Sequence, residues 1–481
     1  MEREESIIIT ERDEAGRNHQ IQISGSKVKR EVTRLSNTHS HSTGAWLTDF
    51  MRKVFLPAGY PNSVSSDYLR YQILNALQAF CNSLASLLSS RAILEGFGVG
   101  DPSATATHAL LLTALQDVFS RLTTIFAAYL IGSSLVPEAK TYRLLADVLN
   151  DAAVVLDTFS PLLNTSALPG VRVAALCVSA SLRSLCGIAA GGSKAAITLH
   201  FATPSEGSGD VGDLNAKDAS KETVLALLGM LLGTLIVPRL TTLWSTYSML
   251  FVLVGLHLGI NYVGVRGLVL RSLNRQRTGL AWLAYRSSNN SYILPPVEMT
   301  RRERIFDRPG VFRDLQTGDV IGHCTIGSSI AEISQTSIPS RFFSLFDQER
   351  YVLWYDKQCL LPSTDKAAPA FYGCPRLHIC LKEGYTYLDQ LKAWTHAAEL
   401  CRAVTCGRTG DVDRIDGHDA LGVLEASYQQ SVRCFSDFVE KLRAVGWNTV
   451  DGALMTGSPN AVLTGIETSV IDDSREEKKH R

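Results

Sequence analysis

Charged and amide side chains interrupt several long apolar stretches of this 481-residue chain. Asp147, Asn150 and Asp151 are three and four positions apart, so a helix places them on one face. Charges on such apolar helices tend to face inward and pair. They either line a polar cavity that recognises a small charged ligand or relays protons, or they neutralise one another and fix the helix register. The candidates are Asp101, Asp117, Arg121, Arg143, Asp147, Asn150, Asp151, Arg183, Lys194, Lys217, Asp218 and Glu222.

Gly191, Gly192 and Lys194 form a second candidate ligand site. Glycines expose backbone N–H groups and a lysine adds positive charge, so the combination suits an anion. The spacing is not that of a phosphate-binding loop, which requires G-x-x-x-x-G-K-[ST]. The alternative is a helix kink from which the lysine reaches toward water along its apolar stem.

Common catalytic and metal-binding patterns are missing from the sequence. There is no G-x-S-x-G, no HExxH and no dinucleotide-binding fingerprint. The ten cysteines include no CxxC pair, and His39 and His41 share a polar loop that is typical of solvated side chains. We therefore expect a protein that is not an enzyme, with no catalytic residues, no metal site and no cofactor fixed by a motif.

The segment 224–265 is the most apolar part of the chain and contains one formal charge, Arg239. A bilayer core needs about 20 apolar residues in a helix, so Leu240–Val265 is long enough to cross it. Val224–Val237 is shorter than a span requires and is predicted as a buried or re-entrant helix, or as a span that borrows neighbouring residues. The alternative is a core helix of a large soluble domain. Arginines follow the segment, which favours a cytosolic C-terminal half.

The predicted fold is mainly α, with a helical membrane-associated bundle followed by a small α+β C-terminal domain. The lipid bilayer is the expected partner. A net charge of zero argues against nucleic acid as a partner. The predicted parts are a polar N-terminal segment with short strands (1–50), the helical domain with its candidate transmembrane segments (51–275), a linker (276–310), the α+β domain (311–465) and a disordered tail (466–481).

A series of short motifs runs through roughly residues 52–275. They are Phe55-Leu56-Pro57-x-Gly59-Tyr60-Pro61, Gly98-Val99-Gly100-Asp101, Arg143-Leu144-x-Ala146-Asp147, Asn150-Asp151, Ala190-Gly191-Gly192 and Ala216-Lys217-Asp218. In this order and spacing they resemble the root UVB-sensitive family of eukaryotic proteins. The resemblance implies membrane association, a link to vitamin B6 homeostasis and homo- or hetero-oligomers with a family member. It implies no established enzymatic activity.

These observations predict a membrane-associated, non-enzymatic protein that handles or senses a small charged solute, scaffolds a partner, or does both. The family link makes pyridoxal phosphate the ligand to consider at Gly191–Lys194. The alternative is a soluble or peripheral enzyme or chaperone that acts on pyridoxal phosphate or related compounds.

Overall fold

The computed structural model divides the chain into two compact units, Met1–Val269 and Leu270–Arg481. The predictions for Asp101, for His39 and His41, and for the tail lie outside the described residues. The structure describes residues 6–12, 18–24, 31–34, 50–96, 106–132, 135–163, 170–204, 209–333, 340–356, 374–409, 420–455 and 457–465.

The first unit begins with a small antiparallel sheet and continues with long helices. The strands are β1 (Ser6–Arg12), β2 (Asn18–Ser24) and β3 (Glu31–Arg34), paired in that order. The long helices among the described residues are α1 (Tyr68–Gly96), α2 (Ala106–Ile131), α3 (Ala139–Phe159), α4 (Val171–Ala202), α5 (Val211–Ile236) and α6 (Leu243–Arg266).

Helices α1, α3 and α6 meet in a buried apolar cluster. Leu84 and Leu88 of α1 are four residues apart and therefore share a face. They pack with Val154 of α3 and with Leu250 and Leu253 of α6. This cluster fixes the mutual positions of three of the helices that also carry the polar residues described below.

The boundaries of α5 and α6 follow from local capping. The Asp210 carboxylate accepts from the backbone N–H groups of Gly212 and Asp213, which starts α5 well before the apolar run. With no helix breaker in between, the helix continues to Ile236. Of the alternatives predicted for Val224–Val237, the structure agrees with the one that borrows neighbouring residues, because the segment forms the C-terminal part of a longer helix. Thr242 then caps α6 by accepting from the Ser245 N–H at 3.2 Å.

Four helical segments of the first unit are long and apolar enough to cross a membrane: Ala109–Ile131, Val171–Ala202, Val211–Arg239 and Leu243–Arg266. Large apolar side chains lie exposed on them, including Tyr129 at 87% and Trp244 at 85% of their maximal surface. In water, a surface of this kind would be a liability to aggregation, whereas lipid would accommodate it. By length and composition, therefore, these helices could span a bilayer.

The second unit is built on a five-stranded mixed sheet. The elements of this unit are β4 (Ser272–Asn274), α7 (Arg275–Ser287), α8 (Pro296–Arg302), β5 (Val311–Arg313), β6 (Val320–Ile326), α9 (Ile330–Ile333), α10 (Ser340–Ser344), β7 (Tyr351–Asp356), β8 (Arg376–Lys382), α11 (Tyr387–Thr409), α12 (Ala420–Ala444), β9 (Asn448–Ala453) and β10 (Val462–Leu463). In the sheet, β8 pairs with β6 and β10 in parallel and with β7 in antiparallel, while β5 extends the sheet beyond β6.

The segment 276–310 does not behave as the predicted linker. Trp282 and Tyr285 of α7 are fully buried in the apolar core of the second unit, against Phe438 of α12. Pro296 begins α8 at a position where its missing N–H costs nothing. Proline and charge were therefore misleading signals here. The mainly α fold with an α+β C-terminal part is confirmed.

Candidate functional site

A polar cavity of about 620 Å³ lies within the helices of the first unit. Five helices contribute to its wall, although each of them is largely apolar. The polar and charged side chains that line it are Asn75, Gln78, Asn82, Ser83, Ser86 and Ser90 of α1, Arg143 and Asp147 of α3, Lys194 of α4, Glu222 of α5 and His257 of α6.

Helix α1 supplies a neutral polar stripe. Asn75, Gln78, Asn82 and Ser86 are three or four positions apart, so they follow one face of the helix. The apolar Leu84 and Leu88 of the same helix belong to the buried cluster instead. One face of α1 therefore packs the bundle, while another offers amide and hydroxyl groups to the cavity.

One network of charges and amides connects four of the helices. Lys194 Nζ donates to both carboxylate oxygens of Glu222, at 2.9 and 3.0 Å. The Asn75 amide donates to Glu222 Oε1 at 3.3 Å and accepts from Arg143 Nη2 at 2.9 Å. Asn75 thus joins the two oppositely charged sides of the wall and holds α1, α3, α4 and α5 in register.

Asp147 is the least satisfied charged group in the cavity wall. The residue is 7% exposed, and no hydrogen bond reaches its carboxylate from any residue that the structure describes. Arg143 lies one turn earlier on the same helix, but it donates to Asn75. Burial lowers the pKa of the Arg143 guanidinium, yet Tyr71 and Asp147 raise it above its usual value.

Two further buried polar atoms of the wall also lack a partner among the described residues: Arg143 Nε and Gln78 Oε1. Buried polar groups in folded proteins are nearly always hydrogen-bonded, so each exception needs an explanation. With Asp147 Oδ2, three unsatisfied atoms belong to residues that line one cavity. A bound polar solute would satisfy them.

Asp151 and His257 form a buried pair beside the cavity. His257 Nδ1 lies 2.9 and 2.8 Å from the two carboxylate oxygens of Asp151, and both side chains are 3% exposed. Burial raises the pKa of Asp151, and the contact with His257 only partly offsets this increase. The carboxylate fixes the orientation of the imidazole, which leaves Nε2 as the nitrogen that can meet a ligand.

The other predicted residues on α3 and α4 support the wall rather than line it with charge. Asn150 donates to Asn82 Oδ1 at 2.8 Å and so links α3 to the polar stripe. Gly191 lines the cavity, and a Cβ added there would meet open space. A Cβ on Gly192 would lie 2.4 Å from Leu135 Cδ1, so this glycine serves close packing.

Lys217 and Asp218 belong to a different cluster. Asp218 pairs with Lys221 at 2.9 Å, and Lys221 donates to the Tyr68 hydroxyl at 2.8 Å. Lys217 lies 3.9 Å from Asp213 and donates to the backbone carbonyl of Lys53. These residues are not among those that line the cavity.

Asp117 is also placed away from the cavity, on the exposed surface of α2. Its carboxylate accepts from the Arg121 guanidinium at 3.1 and 3.2 Å, four residues later on the same helix. Asp117 and Arg121 therefore neutralise each other, which is one of the two alternatives for the candidate charges, and neither residue lines the cavity. Arg183 likewise pairs elsewhere, with Asp157 at 2.6 Å.

The sequence reasoning missed the α1 stripe and His257. The stripe was detectable as Asn, Gln and Ser recurring at helical spacing between apolar residues. His257 was detectable as the one histidine in the apolar segment 224–265. The prediction rested mainly on Asp, Glu, Lys and Arg, which neither feature contains.

The wall therefore offers a mixture of groups rather than a field of one sign. Two cations and two anions face the cavity, with a histidine and several amides and hydroxyls between them. Lys194 and Glu222 satisfy each other, so Asp147 is the anion left to meet a ligand. Such a wall suits a small polar molecule with a cationic nitrogen.

A family model described as the vitamin B6 photo-protection and homoeostasis domain matches residues 41–289, just over half of the chain. The chain belongs to the root UVB sensitive family. RUS family member 1 of Dictyostelium discoideum is 35% identical over 256 residues, which are 53% of this chain and 47% of that protein. Protein root UVB sensitive 3 of Arabidopsis thaliana is 33% identical over 258 residues, 53% of this chain and 55% of that protein.

A longer match reaches the second unit of this root UVB sensitive family protein. Protein root UVB sensitive 2, chloroplastic, of Arabidopsis thaliana is 26% identical over 405 residues, 83% of this chain and 82% of that protein. The chain spans about half the length of the two more similar relatives. No solved structure matches the chain. The family is involved in vitamin B6 photo-protection and homoeostasis, and the cavity lies within its matched region.

Proposed function

We propose that this protein is a membrane-embedded, non-catalytic member of its family that holds a small solute with a cationic group in the cavity of its first unit. The observation that carries the proposal is Asp147, a buried carboxylate without a hydrogen-bond partner among the described residues. A buried charge of this kind is costly unless it is paired. A cationic solute would supply the missing partner.

The family role suggests the class of solute. Vitamin B6 compounds combine a pyridine nitrogen with hydroxyl groups and, in some forms, an amine. Asp147 would meet the cationic nitrogen, and the amides of Asn75, Gln78 and Asn82 would meet the hydroxyl groups. A cavity of about 620 Å³ is large enough for a molecule of this size.

The hydrogen bonds of Lys194, the amine in the cavity wall, favour binding of a pyridoxal compound over reaction with it. A lysine that reacts with the aldehyde of a pyridoxal compound must present an unprotonated nitrogen. Lys194 Nζ instead donates to both oxygens of Glu222, so this nitrogen is already engaged by a protein partner. The enzyme or chaperone alternative is therefore not favoured.

Membrane embedding is supported by the composition and exposure of the apolar helices. A polar cavity inside such a bundle resembles the general arrangement in which intramembrane charges mark a solute pathway. Alkaline carbonate extraction of membranes tests this part. We expect the protein to stay with the membrane pellet, and its release into the supernatant would contradict the proposal. Scaffolding of a family member and a cytosolic second unit stay predictions.

Isothermal titration of the detergent-purified chain with pyridoxamine, pyridoxine and pyridoxal phosphate tests the solute. We expect the amine-bearing compound to bind, and Asp147→Asn to weaken it about tenfold or more, because a hydrogen bond to a charged group contributes about 1.5–3 kcal/mol. Asp117→Asn is the matched control, since it removes an exposed carboxylate from the same unit. Equal affinities in both variants, or no binding of any compound, would refute the assignment.

A further inference from the structure

The second unit contains a separate cavity of about 290 Å³, at the point where α7, the chain after α8 and the β5–β6 turn meet. Three of its 14 lining residues are arginines. The polar side chains that matter are Gln276, Arg302, Arg304, Asp307, Arg313 and Asp314. Which of these charges are already neutralised decides what the cavity can bind.

Asp307 is fully occupied by protein partners. Arg313 holds its two oxygens in a bidentate contact, with Nη2 at 2.7 Å and Nε at 2.9 Å. Gln276 Nε2 adds a third donor at 3.2 Å. Bidentate arginine–carboxylate pairs are among the strongest charge-assisted contacts in proteins. Asp307 and Arg313 therefore cancel each other and contribute shape rather than net charge.

Asp314 is occupied by the backbone of the turn that it begins. Its Oδ1 accepts from the N–H groups of Gln316 and Thr317, at 2.8 and 2.9 Å. Gly318 completes the turn with a φ of +74°. A Cβ on this glycine would lie 2.9 Å from Arg304 Nη2, so the turn backbone and the guanidinium are in close approach.

Arg302 and Arg304 are the charges that remain. Among the described residues, neither guanidinium has a carboxylate within ion-pair distance or a hydrogen-bond acceptor, although both line the cavity. The nearby Glu303 does not serve them, because it pairs with Arg277 at 2.6 Å. The lining contains three arginines and two aspartates, so its formal net charge is +1, and the unpaired positive charges are those of Arg302 and Arg304.

We propose that this cavity is a binding site for a phosphate-bearing anion, held by Arg302 and Arg304. The planar guanidinium presents paired donors that match phosphate oxygens, which a lysine cannot imitate. Two of them on one side of a small cavity suit a tetrahedral dianion with a modest organic substituent. The source of the phosphate is either a soluble ester or the headgroup of an anionic lipid. The site is independent of the cavity in the first unit.

Calorimetric titration of the detergent-purified full chain with inorganic phosphate tests the site. We expect Arg302→Ala and Arg304→Ala each to weaken binding about tenfold, as for the loss of one charge-assisted contact. Arg302→Lys is expected to fall between these variants and the unchanged protein, because it keeps charge but loses the planar fork. Arg301→Ala is the matched control, since Arg301 is exposed like Arg302 and Arg304 and is adjacent in sequence, but does not line the cavity.

A second titration distinguishes the two sources of phosphate. Detergent micelles that carry phosphatidic acid are compared with micelles that carry phosphatidylcholine. Binding of inorganic phosphate that depends on Arg302 and Arg304 supports a soluble ester, and dependence seen only with phosphatidic acid supports a lipid headgroup. Binding that is equal in Arg304→Ala, Arg301→Ala and the unchanged protein would overturn the proposal. So would the absence of binding to both probes.

Discussion

Asp147→Asn should make the empty protein more stable while it weakens solute binding. The substitution keeps the shape of the side chain and removes a buried charge that has no hydrogen-bond partner among the described residues. Arg143 would retain its Asn75 acceptor at 2.9 Å and would still lie near Glu222. Sites built to bind a ligand often carry a stability cost of this kind when they are empty.

The expected size follows from the cost of an unsatisfied buried group, about 1–3 kcal/mol and more for a charge. Part of this cost is already offset by the charge of Arg143, so we expect a gain of about 1–2 kcal/mol. For a unit of this length, that gain corresponds to a rise of roughly 2–8 °C in the unfolding midpoint. Asp117→Asn removes half of an exposed i,i+4 pair and should change stability by less than about 0.5 kcal/mol.

Thermal unfolding of the detergent-purified protein, with and without solute, measures both effects. Without solute, Asp147→Asn should unfold at a higher temperature than the unchanged protein. With saturating solute, the order should reverse or the difference should vanish, because only the unchanged protein gains the binding energy. If Asp147→Asn is less stable without solute, the carboxylate is a structural partner of Arg143 and the reasoning is refuted.

Two further predictions concern the first unit. Gly191→Ala should stabilise the protein by up to about 1 kcal/mol, because the added methyl group meets open space in a helix. Gly192→Ala should destabilise it by about 1–3 kcal/mol, because the added Cβ would lie 2.4 Å from Leu135 Cδ1. Equal thermal unfolding midpoints for the two variants would contradict both expectations. Burial raises the pKa of Asp67, but the contact with His200 and other hydrogen bonds lower it to about 2. A lowered carboxylate pKa stabilises the fold above the unfolded-state value, so about 2 kcal/mol should be lost as the pH falls from about 4 to 2. Asp67→Asn should remove this pH dependence, and parallel acid unfolding curves would contradict it.

Part of the cavity wall was predictable from the sequence. The spacing of Asp147, Asn150 and Asp151 predicts one polar face on an apolar helix, and such charges tend to face inward. Arg143, Lys194 and Glu222 were also predicted as candidates, and the structure brings them to one cavity with Asp147. Helical periodicity determines which residues of one helix share a face, whichever helices pack against it.

Spacing could not show which faces of different helices meet. Asp117 satisfies the same sequence criterion as Asp147, yet its helix turns it to the surface beside Arg121. Asp218 likewise pairs with Lys221 in another cluster. The placement of these residues depends on tertiary packing, which local pattern does not specify.

The prediction of a linker at 276–310 also relied on local composition and could not include tertiary packing. Proline and charged residues between 276 and 310 suggested an exposed connection, but Trp282 and Tyr285 are buried in the core of the second unit. Two large aromatic side chains outweigh the composition of the residues around them, because their burial contributes several kcal/mol. A test for aromatic residues at helical spacing would have assigned this segment to the domain that follows it.

The most direct test of lipid contact uses Trp244, which is 85% exposed at the start of α6. In vesicles of brominated phosphatidylcholine, bromine quenches only tryptophan side chains that touch the lipid. We predict quenching in the unchanged protein and a reduction of that quenching in Trp244→Phe, which keeps the other five tryptophans of the chain, among them the buried Trp282, Trp394 and Trp447. Equal fluorescence in brominated and unbrominated vesicles, in protein that retains Trp244, would contradict membrane embedding of the bundle.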